Sequence, residues 1–389
     1  MQITRIRLKN WRNFPNAEAR LGPMTYVIGP NASGKSNLFD AFRFLRDVAK
    51  PDGGGLQQAI KLRNGLSKLR CLHARQDPEV QISVDWTEGA NEDADGWTYT
   101  LGMKTEEGRT KRPIVSLERV TRTVEGKATH LVDRPNKDDR KDQELLTQTA
   151  LEQNFANKEF RVLSDELTNV TYLHLVPQLL KFGDQIGGSR LENDPFGQAF
   201  LERIAKTGES LRQKRLDRIK SALQIAAPQF EDIRFDRDAV NGRPYLEAKY
   251  HHHRPKAGWQ REDQLSDGTL RMIALFWLLM ENNGVLLLEE PELSLDEDVV
   301  RALPALIDKL GRSGKRGQSQ IVITTHSYAL LDNPGIDGRW VLRVEPLKEG
   351  STIVPPSEEE LRLMKDDGLP PAQVLLPKAH PAEAAEMAL

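Results

Sequence analysis

The sequence predicts an α/β fold organised around a phosphate-binding loop, with an antiparallel β subdomain and a helical insertion. Three observations predict it. Residues 29 to 36 read Gly29-Pro30-Asn31-Ala32-Ser33-Gly34-Lys35-Ser36, a complete P-loop pattern. It lies between an apolar, strand-like segment (Met24 to Ile28) and a segment with helical spacing (Asn37 to Ala49). Val285 to Leu288 is an unbroken apolar run, as in strands buried on both faces, and it ends in Glu289-Glu290-Pro291-Glu292. Ile321 to Thr325 repeats that design and ends in His326. Open α/β sheets bind ligands beyond the C-terminal ends of their strands, so loop, carboxylates and histidine are expected along one edge.

The 389 residues are enough for two or three units with sizeable cores. Charged residues make up 29 % and hydrophobic ones 38 %, the composition of a soluble chain. The longest apolar stretches, such as Ile273 to Met280, are too short to cross a bilayer. Arg5, Arg7 and Lys9 interrupt the N-terminus, which argues against a signal peptide. Cys71 is the single cysteine, so an intrachain disulfide and a thiolate zinc site are excluded and a reducing cytoplasm is expected. A net charge of −2 does not announce a nucleic-acid binder, and any such contact has to come from a local patch.

Along the chain, Ile3, Ile6 and Leu8 sit among polar residues in a first strand, and Asn10-Trp11-Arg12-Asn13-Phe14 turns it. After the P-loop, Leu38, Phe39, Ala41, Phe42, Leu45 and Val48 recur on one broad helical face. Val80-Ile82-Val84-Trp86 and Trp97-Tyr99-Leu101 alternate with period two and predict a hairpin; Ile114 to Val124 predicts a further strand. Residues 1–134 therefore read as an N-terminal lobe with the P-loop and the β subdomain. Residues 135–228 read as a helical insertion: a charge run (Lys137 to Asp142), then helical patterns over Leu145 to Leu167 and Phe196 to Ala226. Tyr172 to Val176 is a short strand between them, and no sustained heptads predict a long coiled coil. Residues 229–350 read as a C-terminal lobe, with strand-like alternation over Phe230 to Tyr250 and the second half of the α/β core from Leu265. Residues 351–389, rich in Pro, Glu and Ala, read as a peripheral helix followed by disorder.

The chemistry follows from residue types at these positions. Gly29 and Gly34 let the backbone curl around phosphate oxygens. The N–H groups of Asn31, Ala32, Ser33 and Gly34, and the helix N-terminus that includes Asn37, offer a positive field. Lys35 is expected to reach the β- and γ-phosphates of ATP and the Ser36 hydroxyl to ligate Mg²⁺. Leu265-Ser266-Asp267-Gly268-Thr269 stands before an almost wholly apolar helix, Leu270 to Met280. Ser266 is a good N-cap there; with the Gly268 N–H it also makes a second anion cradle. One chain needs one cradle per triphosphate, so a second suggests closure over the γ-phosphate held by another subunit. Glu289 is suited to hold Mg²⁺ and Glu290 to polarise the attacking water as general base. His326 is suited to touch the γ-phosphate or orient water.

The order P-loop, LSDGT, apolar-EEPE and TTHS resembles the ABC-type ATPase heads of the RecF, SMC and OLD families. More narrowly it is similar to a bacterial group carrying LSDGTLR and LLLEEPELSL strings that is often described as AAA-type. The resemblance implies an ABC-ATPase-like P-loop fold and an ATP-sandwich homodimer, the P-loop of one chain facing Ser266 and Gly268 of the other. It gives Gly29, Asn31, Gly34, Lys35 and Ser36 to the nucleotide, Ser266 and Gly268 to the signature, Glu289 and Glu290 to Mg²⁺ and base, and His326 to a switch. The family's Asn-Phe-Arg turn stands here as Asn10-Trp11-Arg12, which implies that Arg12 lies near nucleotide. Two departures stand out. Glu289 replaces the Asp of many ABC proteins, and Ser294-Leu295-Asp296-Glu297 replaces the usual Ser-Leu-His-Pro, which implies slower hydrolysis. The Q-loop glutamine is not fixed by pattern: Gln178 is the first candidate on the metal side and Gln81 the other.

Two basic clusters bear on DNA. Residues 200–220 carry seven basic side chains against three acidic ones, and Arg109, Lys111, Arg112, Arg119 and Arg122 form a second cluster. Each fits a phosphate-backbone contact or, more commonly, a solvated face. His251-His252-His253 point to alternate faces of a strand and do not make a metal site. Two functional readings result. One is an ATPase acting on DNA in repair, chromosome maintenance or phage defence. The other is a slow nucleotide-gated switch controlling an effector protein such as a nuclease or toxin. A transporter subunit is disfavoured by the long Lys35-to-Ser266 spacing and by the lack of any membrane-coupling feature.

Overall fold

The computed structural model describes residues 1–74, 77–89, 95–107, 111–183, 185–186, 193–251, 258–311 and 319–379. The chain begins with β1 (Gln2–Trp11), β2 (Phe14–Arg20) and β3 (Met24–Ile28), then the P-loop and α1 (Lys35–Ala49). Short helices α2 (Leu56–Lys61) and α3 (Leu66–Leu69) lead to β4 (Val80–Thr87), β5 (Gly96–Thr105), β6 (Pro113–Val124) and β7 (Lys127–Arg134). Next come α4 (Lys137–Lys141), α5 (Arg161–Thr168), β8 (Thr171–Leu173), α6 (Pro177–Phe182), α7 (Phe200–Lys206) and α8 (Glu209–Ala226). Strands β9 (Phe230–Arg237), β10 (Pro244–Tyr250) and β11 (Gln260–Arg261) precede α9 (Asp267–Glu281), β12 (Val285–Glu289), α10 (Glu297–Gly311) and β13 (Gln320–Thr324). The chain closes with α11 (Tyr328–Leu331), β14 (Val341–Leu347), β15 (Gly350–Val354), α12 (Glu358–Lys365) and α13 (Pro371–Val374).

The strands pair in three sheets. An antiparallel sheet runs β2-β1-β4-β5-β6-β7, and a small one runs β11-β10-β9. The third runs β15-β14-β3-β13-β12-β8; its pairs from β14 to β8 are parallel, and β15 closes one edge antiparallel. Period-two alternation sorts the parallel strands between two cores. Val27, Leu287 and Val322 face a layer holding α1 and the inner face of the antiparallel sheet. Tyr26, Ile28, Leu286, Leu288, Ile321 and Ile323 face the other side, packed under α9, α10 and α11. An apolar run such as Val285 to Leu288 is thus buried on both faces. The side chains expected on the core face of α1, from Leu38 to Val48, are all fully buried. Gln320 fastens β13 to the N-terminal strands: its Oε1 accepts the Ile3 N–H at 2.9 Å and its Nε2 donates to the Ile3 and Gly22 carbonyls.

Four expectations change. Helix α1 starts at Lys35, two residues early, because Gly34 adopts a left-handed conformation (φ 115°) and serves as its N-cap. The Leu145 to Leu167 pattern is not one helix: a 3-10 turn covers Gln143–Thr147 and α5 begins only at Arg161. Buried Glu118 explains the break, because its carboxylate accepts the Ala150 and Leu151 N–H groups at 2.7 and 3.1 Å and so withdraws them from any helix. The Phe196 to Ala226 pattern splits into α7 and α8 at Thr207-Gly208. The tail is no loose appendage, since Ala372 and Leu375 join the second core and Glu360 binds Arg343 and Lys378. The disorder expected further on concerns residues 380–389, which lie outside the described residues, as do His252, His253 and Arg109 of the clusters above.

Glu118 is also bonded by Tyr99 and Arg134, at 3.0 and 3.1 Å. It therefore staples residues 134–151 to the antiparallel sheet. Glu118→Ala leaves the buried Tyr99 hydroxyl and the Ala150 and Leu151 amides without this acceptor, while Arg134 keeps Asp139. The expected cost is about 3 kcal/mol, read as a lower midpoint in urea unfolding.

Candidate nucleotide and metal site

The P-loop, the end of β12 and the end of β13 meet at one edge of the parallel sheet, because β3, β13 and β12 are consecutive neighbours in register. Backbone conformation shapes the loop. Gly29 (φ 151°) and Gly34 (φ 115°) sit where an added Cβ would lie 2.5 Å from the Val344 carbonyl oxygen and 2.1 Å from the Asn13 amide nitrogen. The Asn13 amide donates to the Ser33 carbonyl at 2.6 Å and to Ser351 Oγ at 2.9 Å, and its oxygen accepts from Asn37 at 2.8 Å. Asn13 thus ties the loop to α1 and to β15. Lys35 folds its ammonium back onto the loop, donating to the Gly29 and Pro30 carbonyls at 2.8 and 3.0 Å. Burial pulls that ammonium below the ordinary lysine value, while the charges of Glu290, Glu289 and Glu292 pull it up. Asn31 and Ala32 are exposed and Ser33 is buried.

Glu289 closes the site from β12. Its Oε1 accepts the Ser36 hydroxyl at 2.6 Å and its Oε2 accepts the Tyr172 hydroxyl at 2.5 Å. Burial first, then the Glu289 contact, push the Tyr172 phenol above its usual value, so it stays a donor. Glu290 takes a left-handed backbone (φ 46°), unusual for a glutamate, and its N–H donates to Thr324. This aims its carboxylate at His326, whose Nε2 lies 3.1 Å from Oε1. Arg271 on α9 fixes the loop behind it, donating to the Glu290 and Leu293 carbonyls at 3.0 and 3.2 Å. Glu292 is buried beneath, receives the Thr325 hydroxyl, and has its carboxyl raised chiefly by that burial.

Ser266 and Gly268 lie at the N-terminus of α9. Ser266 is exposed and caps the helix by accepting the Thr269 N–H at 3.1 Å. Gly268 is buried, and a Cβ there would lie 2.4 Å from the Ser294 carbonyl oxygen. Its missing side chain is therefore required by packing against Ser294 of its own chain. Arg12 is committed to α1, donating to Asp40 at 2.6 and 3.1 Å. Gln178 is exposed on α6 and Gln81 lies on β4. Among the described residues the side chains that reach Glu289 are Ser36 and Tyr172, not either glutamine.

A family model described as "AAA domain, putative AbiEii toxin, Type IV TA system" matches residues 24–332. The chain belongs to this AAA-domain family. Curated relatives cover less of it. The DNA replication and repair protein RecF of Chlamydia caviae is 50 % identical over 46 residues, 12 % of either chain. RecF of Roseiflexus castenholzii is 28 % identical over 110 residues, 26 % of this chain and 28 % of that one. The matched stretches thus span little more than a quarter of the length of these relatives at most. A solved SMC head bound to the C-winged helix domain of ScpA covers 92 % of the chain at a TM-score of 0.52 and 15 % identity. The fold is that of an ABC-type ATPase head of the RecF/SMC class, with the expected antiparallel subdomain.

The donor set of this AAA-domain protein fits a nucleotide with a hard cation. Ser36 Oγ and Glu289 Oε1 lie side by side, and oxygen ligands of this kind suit Mg²⁺. Among the described residues no three His, Cys, Asp or Glu side chains converge. Asn13, Tyr172, Arg271 and Glu292 were not singled out as site residues from the sequence. Each lay in a segment that the sequence marked (the Asn10–Phe14 turn, the Tyr172–Val176 strand, LSDGTLR and EEPE), but nothing in those segments set its side chain apart.

Proposed function

We propose that this protein binds ATP with Mg²⁺ and hydrolyses it as a pair of chains, and that the cycle serves a DNA transaction such as repair, chromosome maintenance or phage defence in the cytoplasm. The pairing of two donor–carboxylate contacts at one sheet edge, Ser36 with Glu289 and His326 with Glu290, carries this reading. Gly29, Asn31, Ala32, Ser33, Gly34 and Asn37 form the phosphate cradle, and Lys35 leaves its two carbonyls for phosphate oxygens. Ser36 and Glu289 hold the cation, which neutralises charge building on the phosphates. Glu290 takes the proton of the attacking water and His326 holds that water and the carboxylate in line. Ser266, exposed on its helix N-terminus, serves the triphosphate of the second chain, with Gly268 allowing α9 to press on Ser294. Arg12 bonds Asp40 on α1, the helix whose first turn carries Ser36.

The slower switch reading has its own support. The arginines of the 109–122 cluster that the structure describes are ion-paired, and so are two of the seven basic side chains in residues 200–220. Arg112 binds Glu106 and Glu144, Arg119 binds Asp133, Arg122 binds Glu88, Arg203 binds Glu281 and Lys220 binds Asp232. Arg112, Arg119 and Arg122 therefore offer little charge to phosphate backbones, which favours a protein effector at that face, whereas the exposed Lys206, Lys214 and Arg218 favour the DNA reading. One measurement separates the two. Phosphate release is followed with and without duplex DNA at moderate salt, beside DNA binding by fluorescence anisotropy. Stimulation by DNA supports the first reading. Turnover with neither binding nor response removes its DNA half, and no turnover in any condition removes the ATPase.

A further inference from the structure

We propose that Tyr172 is a positioning residue that holds Glu289 ready for the cation and so makes good the extra methylene of a glutamate at that place. The proposal rests on the reading of Glu289 as the metal-side carboxylate. The two oxygens of Glu289 have different partners: Oε1 faces the Ser36 hydroxyl, and Oε2 is taken by Tyr172. Tyr172 comes from β8, where it pairs with Leu287, two residues before Glu289, and its ring spans the remaining height to the carboxylate.

The ring itself is fixed from α1. The Arg43 guanidinium stacks on its face, 4.4 Å from the centroid, and Phe39 meets it edge-on at 6.3 Å. Helix α1 also carries Ser36 in its first turn, so one rigid element places both donors that bracket the carboxylate. A glutamate has one more rotatable bond than an aspartate, and leaving it free costs entropy when a ligand is bound. A neutral donor on the oxygen turned away from the ligand removes that freedom without competing for the cation. Groups that orient a metal ligand in this way are typically worth about 10- to 100-fold in metal affinity.

The test uses a fluorescent ATP analogue bound to the full chain, titrated with free Mg²⁺, and reads the Mg²⁺ midpoint of the affinity gain. Tyr172→Phe is expected to raise that midpoint by about 10-fold while affinity in Mg²⁺-free buffer stays unchanged. In a Glu289→Asp background, where the shorter carboxylate falls short of the phenol, adding Tyr172→Phe is expected to shift the midpoint by no more than about twofold. Glu289→Gln is the control for the underlying reading. If it leaves the midpoint in place, the metal-side role of Glu289 falls. If it moves the midpoint but Tyr172→Phe does not, the proposal for Tyr172 is overturned. An equal Tyr172→Phe shift in both backgrounds, or a loss of Mg²⁺-free binding, overturns it too.

Discussion

Glu290→Gln is expected to lower ATP turnover by about 10²- to 10⁴-fold while nucleotide still binds. An amide oxygen is too weak a base to take a proton from water, yet it occupies the same space. The backbone contacts that place residue 290, its N–H to Thr324 and its carbonyl from Arg271, do not depend on the side chain and remain. The 3.1 Å contact with His326 then meets an amide in place of a carboxylate. Bound triphosphate then persists, and so does whatever it holds together. Light scattering behind a sizing column, in ATP and Mg²⁺, is expected to show a dimer for this variant. A monomer at saturating ATP would refute the two-chain arrangement.

Lys35→Ala is expected to weaken ATP binding by about 100-fold, equivalent to roughly 3 kcal/mol of charge-assisted hydrogen bonding. The ammonium now bonds the Gly29 and Pro30 carbonyls, so the variant also takes a donor from each, and among the described residues only Pro30 keeps another, the Ser33 N–H. Neighbouring glutamates make the edge electronegative, and the lysine is the P-loop side chain that offsets them. Equilibrium titration with a fluorescent ATP analogue measures the loss. Affinity within a few-fold of the native chain would mean that the loop does not grip the triphosphate through Lys35.

The parts of this molecule that could be read from sequence are those written in a few adjacent residues. The P-loop, the apolar strand ending in Glu289-Glu290 and the strand ending at His326 each carry their own signature, and neighbouring parallel strands bring them to one edge. Period-two alternation was enough for the β4–β5 pair, where Trp86 stands opposite Trp97. The rest depends on partners far apart in the chain. Tyr172 meets a carboxylate 117 residues away, and no spacing rule links them. Glu118 breaks the pattern after Leu145 by taking amides 32 and 33 residues on. Arg343 reaches Glu360 in the tail, which a composition rich in Pro, Glu and Ala hides. The packing of Gly268 under the Ser294 carbonyl, 26 residues on, is likewise written nowhere in its own segment.

The placement of β3 between β13 and β14 governs how the polypeptide is born. Ser36 bonds a side chain 253 residues downstream, and Ile3 one 317 residues downstream. During synthesis the first lobe leaves the ribosome with both edges of β3 bare, and they stay bare until most of the chain has emerged. Such edges invite aggregation and are natural chaperone targets. Assembly of the edge that carries the P-loop is therefore among the last events of biogenesis, and contacts of this span make it slow.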